Sequence, residues 1–143
     1  LVDASAGGRD GMLRAQLPHH CEHLERRQAP RFPVPADGDT LAVVHTRAEV
    51  FLCQLRDLSF LGVGLRLKAA EARLPKGERR LLCEIRRGDL LLQSKIEIHW
   101  THVEDRHECF GGSFIDVSPS AQDRIDRLVT ELERNWLRSR LDR

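Results

Sequence analysis

A chain of 143 residues with 31% charged side chains and a formal net charge of +1 is long enough to bury one core, and its near-neutral balance gives no broad field for holding a nucleic acid. It contains neither an apolar run of membrane-spanning length nor a charged stretch leading into an apolar one, so no transmembrane helix and no secretory signal is expected, and the reading is a cytoplasmic protein. The four cysteines, Cys21, Cys53, Cys83 and Cys109, are widely spaced, which predicts buried reduced thiols instead of a disulfide framework.

Residues 1–25 include Gly7, Gly8 and Gly11 and show no apolar period, so they are expected to form a flexible arm ahead of a domain over 26–143. The first residue is Leu1 and the only methionine is Met12. Two expectations stay open: residues 1–11 are not native, or the chain is a piece of a longer protein. Arg26, Arg27 and Arg31 come next, on a segment that Pro30 and Pro33 keep out of helix.

Beyond Pro35 the periodicity is that of strands. Short runs rich in Val, Ile, Leu and Phe, from Thr40 to Thr46, Glu49 to Leu58, Gly62 to Leu67, Arg79 to Arg86, Leu90 to Val103 and Cys109 to Val117, are separated by turn signals such as Arg87-Gly88-Asp89. Six strands in succession predict an all-β fold, a small antiparallel barrel that leaves no exposed edge. Alternation is clearest from Lys95 to Trp100 and puts Ile96, Ile98 and Trp100 on one face. On that face the indole would pack in the core; at the barrel rim it would stack on a guanine, and Trp100 is counted among the candidate ligand-binding residues. Ser118-Pro119 then sets a helix start, with Ser120 and Asp123 as a second capping arrangement. Ile125, Leu128, Val129, Leu132 and Trp136 form one apolar stripe on a C-terminal helix over about 119–141, which is expected to pack across the open end of the barrel.

The chemistry-bearing residues fall into two strings. Arg27 and Arg31, with Arg26 beside them, offer planar forks of donors that fit phosphate oxygens or the O6/N7 edge of guanine. Further on, Asp57-Leu58-Ser59-Phe60-Leu61-Gly62 supplies a carboxylate that accepts from the N1–H and N2–H of guanine, a hydroxyl, and a glycine over which a flat ligand can approach the backbone. Arginine with aspartate suits an anionic, guanine-containing ligand better than a bare anion, because Asp57 alone would repel phosphate.

In that order and at that separation, the pair RxxxR then DxSxxG resembles the PilZ family, and the likeness extends into Gly111-Gly112-Ser113-Phe114-Ile115-Asp116. The resemblance implies a six-stranded barrel that binds the bacterial second messenger cyclic di-GMP. It implies that Arg27 and Arg31 meet the phosphates and guanine faces, that Asp57, Ser59 and Gly62 form the second wall, and that Arg26 adds a further guanidinium favouring an intercalated pair of ligands. It also implies a downstream protein partner, in motility or exopolysaccharide machinery, re-aimed when the ligand orders the arm. The alternative is a PilZ-like interaction module that no longer binds the nucleotide.

Two clusters hold metal-ligand residue types, His19, His20, Cys21 and His23, and His99, His102, His107 and Cys109. Neither has the spacing of a zinc site, so no metal and no cofactor is expected. With no nucleophile elbow and no P-loop, no enzyme is expected either. A single-strand nucleic-acid binder would need exposed aromatic platforms, and the chain has no Tyr and five Phe, mostly at apolar strand positions.

Overall fold

The alternation that marks the strands also decides what each one buries. In the segment Leu81 to Arg86, Leu81, Cys83 and Ile85 point inward and are almost wholly buried, while Leu82, Glu84 and Arg86 point out. The computed structural model describes residues 29–36 and 38–141. Among them are β1 (Phe32–Pro33), β2 (Thr40–His45), β3 (Val50–Leu58), β4 (Gly62–Leu67), β5 (Arg80–Arg87), β6 (Leu90–Glu104), β7 (His107–Ile115) and the helix α1 (Pro119–Leu141). The six long strands lie within about two residues of the runs read from the sequence.

Six strands close into an antiparallel barrel in the order β3-β2-β5-β6-β7-β4, with β4 pairing back onto β3. Closure leaves no long edge to recruit another chain. The strand β1 is extra and was not foreseen. It pairs with the far end of β3, Phe32 opposite Leu58 and Pro33 opposite Asp57, beyond the stretch Val50 to Cys53 that pairs with β2. Pro33 is tolerated there because β1 is an edge, where one backbone donor has no ladder to serve.

The core is filled by Val44, Leu58, Leu65, Ile85, Leu92, Ile96 and Phe110, all essentially inaccessible. Each such side chain stabilises the fold by roughly 1.5–3 kcal/mol through removal of apolar area from water. Cys53, Cys83 and Cys109 are buried and free, as the spacing predicted. Burial pushes the Cys53 thiol up to about 12 and Cys83 up as well, so neither yields a thiolate at neutral pH.

Of the two helix starts offered by the sequence, the chain uses the first. The Ser118 hydroxyl accepts from the Ala121 amide at 3.0 Å, and Pro119 takes the first helical position. Ala121, Ile125, Leu128, Val129 and Leu132 are buried in the barrel core cluster, and α1 packs against β6 and β1. Among the described residues no helix is long and apolar enough to cross a membrane.

Candidate functional site

Two strand pairs break register, and both breaks serve one face. Between Leu55 and Asp57 the pairing of β3 with β4 shifts by one residue, leaving Arg56 extra, and between Ile98 and Trp100 the pairing of β6 with β7 does the same at His99. A one-residue bulge inverts which side of the sheet the following side chains occupy. Without the first, Asp57 would point inward. With it, Asp57 faces out opposite Gly64 and Leu58 returns to the core. The second bulge decides between the two places open to Trp100: simple alternation puts it with Ile96 and Ile98 in the core, whereas the extra residue turns it outward opposite Gly111, 39% exposed.

Register then aligns four residues in one row across four strands: Asp57 on β3, Gly64 on β4, Gly111 on β7 and Trp100 on β6. The glycines make the row possible. A Cβ on Gly64 would stand 2.7 Å from an Asp57 carboxylate oxygen, and one on Gly111 would stand 2.5 Å from the Trp100 indole. The carboxylate and the ring therefore lie down on bare backbone and form a low shelf with an acceptor at one end and an aromatic face at the other. His102 stacks on the indole, centroids 5.3 Å apart and planes 21° from parallel. Neither Gly64 nor Gly111 has a role legible in the sequence, because a floor residue becomes visible only once register is known.

The structure joins the two sequence strings at one contact. Arg31, just ahead of β1, reaches Asp57 with 3.3 Å between Nη1 and Oδ1. The pairing of Phe32 with Leu58 brings them together. Arg26 and Arg27 lie outside the described residues, as do the arm and the cluster of His19, His20, Cys21 and His23.

Ser59 and Gly62 have structural roles beside those expected of them. Ser59 is 3% exposed, and its hydroxyl accepts from the amides of Leu61 at 3.1 Å and Gly62 at 3.0 Å. It builds the turn between β3 and β4, as short hydroxyl side chains do, and does not face outward. At Gly62 an added Cβ would run into the Gly112 carbonyl oxygen. Close approach by β7 is enough to require glycine there.

Of the second histidine cluster, His102 and Cys109 come together with Glu104, their ligand atoms within 4.8 Å of one another, while His107 turns to the Leu67 carbonyl and His99 to the Ser113 hydroxyl. The bulge residue Arg56 is seated among them. Its Nη1 donates to Glu104 Oε1 at 2.9 Å and to Cys109 Sγ at 3.6 Å, and Arg66 stands 3.7 Å from the same carboxylate. The hydrogen bond it donates to Glu104 holds the guanidinium protonated even more firmly than usual. Two of the three candidate ligand atoms are thus already engaged by a guanidinium of the protein itself.

A closed six-stranded barrel with one added strand and a C-terminal helix is a fold this chain shares with known proteins. The PilZ domain model matches residues 25–131, and the chain belongs to the PilZ domain family. The flagellar brake protein YcgR 1 of Paraburkholderia phytofirmans is 29% identical over 130 residues, covering 85% of this chain and 50% of the relative. The chain thus spans about half the length of that curated relative. The solved PilZ domain of Escherichia coli YcgR with c-di-GMP superposes with a TM-score of 0.65 at 20% identity, over 82% of this chain and 98% of that one. The K. pneumonia MrkH complex with c-di-GMP gives 0.60 at 18% identity, over 75% of this chain and 51% of that one.

Proposed function

We propose that this chain is a receptor for cyclic di-GMP that lies on the shelf from Asp57 to Trp100, with Arg27 and Arg31 closing on it from the segment before β1. The observation that carries the reading is the contact of Arg31 with Asp57 at 3.3 Å, which brings the donor string to the acceptor string at the end of a glycine floor. An ionised carboxylate has about four lone-pair sites. Asp57 can therefore accept from Arg31 and from the guanine edge together, while Arg31 turns its remaining donors to phosphate. Trp100 supplies the face on which a guanine stacks. Ser59 and Gly62 shape the turn that holds Asp57 in place, and Arg26 contributes a further guanidinium to a second nucleotide.

In this reading residues 1–25 are an arm that becomes ordered as ligand phosphates neutralise the adjacent charges of Arg26 and Arg27, so that whatever precedes or contacts the arm is re-aimed. The partner belongs to motility or exopolysaccharide machinery, a reading supported by the brake protein among the relatives. Calorimetric titration with cyclic di-GMP tests the proposal, with GTP and cyclic GMP as controls. Binding at micromolar affinity or tighter is expected, about 8 kcal/mol, with an endpoint of two nucleotides per chain. No heat at about 100 μM ligand would overturn it, since that concentration is some hundredfold above the expected midpoint.

A further inference from the structure

The strand that delivers Arg31 is too short to hold itself. β1 has two residues paired with β3, and just beyond it the Val34 amide donates to the Arg56 carbonyl at 2.9 Å. A ladder of that length does not offset the entropy of fixing the backbone. What remains is Phe32, 6% exposed, whose ring meets Trp136 of α1 edge-on with centroids 5.9 Å apart and planes at 61°. Trp136 lies past the last buried residue of the helix stripe, Leu132. It is backed by Arg140, whose guanidinium carbon stands 4.8 Å from the ring centroid. Around it the helix surface is bare: Leu137 is 47% and Leu141 85% exposed. The far end of α1 thus touches the barrel through the residue that follows Arg31.

We propose that Trp136 is a positioning residue for the nucleotide site: through Phe32 it fixes β1 and so holds Arg31 at Asp57. The inference rests on the receptor reading and extends it to the helix, which the sequence alone treated as packing. Coupling of this kind is reciprocal. If Trp136 favours the closed position of Arg31, a nucleotide that engages Arg31 tightens the contact between Phe32 and Trp136 and steadies the last turns of α1.

The test compares two helix variants of the whole chain. Trp136→Ala removes the ring contact with Phe32 of β1, while Leu132→Ala empties a fully buried core position one turn nearer the helix start. In the free protein, Trp136→Ala is expected to speed hydrogen exchange of the Val34 amide at least fivefold, and to weaken cyclic di-GMP binding by a similar factor; Trp136→Phe restores both. Leu132→Ala lowers Tm more, yet leaves the Val34 exchange and the Kd within twofold of the unsubstituted chain. Unchanged Val34 exchange in Trp136→Ala, or a Leu132→Ala variant whose binding weakens as much, overturns the proposal. If the unsubstituted chain fails to bind cyclic di-GMP, the receptor reading falls, and Val34 exchange, which needs no nucleotide, still judges the role of Trp136.

Discussion

On the wall formed by β2 and β5, register runs unbroken from β3 through β2 and β5 to β6, and the outward positions carry Leu41, Val50, Leu52, Leu82 and Leu91 around the pair of His45 and Glu84. On the wall formed by β4 and β7, register breaks twice at the flanking strands, and the outward row carries Asp57, Gly64, Gly111 and Trp100. Both walls enclose the same core. The difference lies in two extra residues, Arg56 and His99. A regular barrel wall exposes whatever its polar phase supplies, whereas a bulge chooses which side chain is exposed and twists the strand around it. The site is where the protein departs from regularity.

Substitutions at either end of the shelf give the largest expected contrast between the walls. Arg31→Ala or Asp57→Ala should weaken cyclic di-GMP binding by about 1–3 kcal/mol, the scale of a bidentate contact to guanine, and Asp57→Ala should also relax selectivity against non-guanine nucleotides. Leu52→Ser on the regular wall should change affinity less than twofold and stability by no more than about 0.5 kcal/mol. Titrations of the three variants would break the comparison if Leu52→Ser cost as much as either substitution on the shelf.

Neighbouring glycines sharpen the contrast within the bulged wall. In Gly111→Ala the new methyl meets the Trp100 indole, a side chain that can swing away, so the fold should survive while the stacking platform moves. Binding should weaken by about 1–2 kcal/mol, within the range of a lost base stack, with a change in tryptophan emission. In Gly112→Ala the methyl meets the Glu97 backbone, which cannot yield without disturbing β6. Stability should fall by about 1–3 kcal/mol, as overpacking does. Thermal melts and titrations on the pair read the two outcomes separately, and equal effects on Tm would mean that the indole is as fixed as the backbone.

The same contrast explains what was legible in advance. Strand positions, the barrel and the helix with its Ser118 start follow from local alternation and capping, which the sequence states directly. Asp57 was chosen for its chemistry and proved to face outward, but for a reason that no periodicity contains, since regular alternation after Leu55 points it inward. For Trp100 the sequence offers two places, the core if the period runs on through His99 and the rim where a base could stack, and only register shows that the indole faces out. For Ser59 and Gly62 a motif records which residues recur, and not how far each one touches a ligand or holds the turn beside it. Strand β1 escaped notice because two residues, one of them proline, carry no period at all. What was missed depends on register between distant strands: Gly64 and Gly111 matter only because Asp57 and Trp100 lie across them.

The smallest expected effect belongs to the regular wall and is a matter of pH. Glu84 accepts from the His45 ring and from the Gln93 amide. The hydrogen bond from His45 first, and that from Gln93 second, hold its carboxyl below the usual glutamate value. A carboxyl whose folded pKa is depressed binds its proton more readily in the unfolded chain. Its contribution is therefore fully present above the ordinary value of about 4.3 and is lost as pH falls through the folded one. Glu84→Gln should lower Tm near neutrality by an amount corresponding to no more than about 1 kcal/mol, the scale of a partly exposed pair. The gap should close as pH falls through and below the depressed folded value of Glu84, where both chains carry a neutral group at this position. Affinity for cyclic di-GMP at neutral pH should not change, because Glu84 stands on β5, which contributes nothing to the shelf from Asp57 to Trp100. A Tm difference that persists undiminished in acid would show that position 84 acts through packing and not charge, and a shift in affinity would show that the two walls are coupled through the barrel.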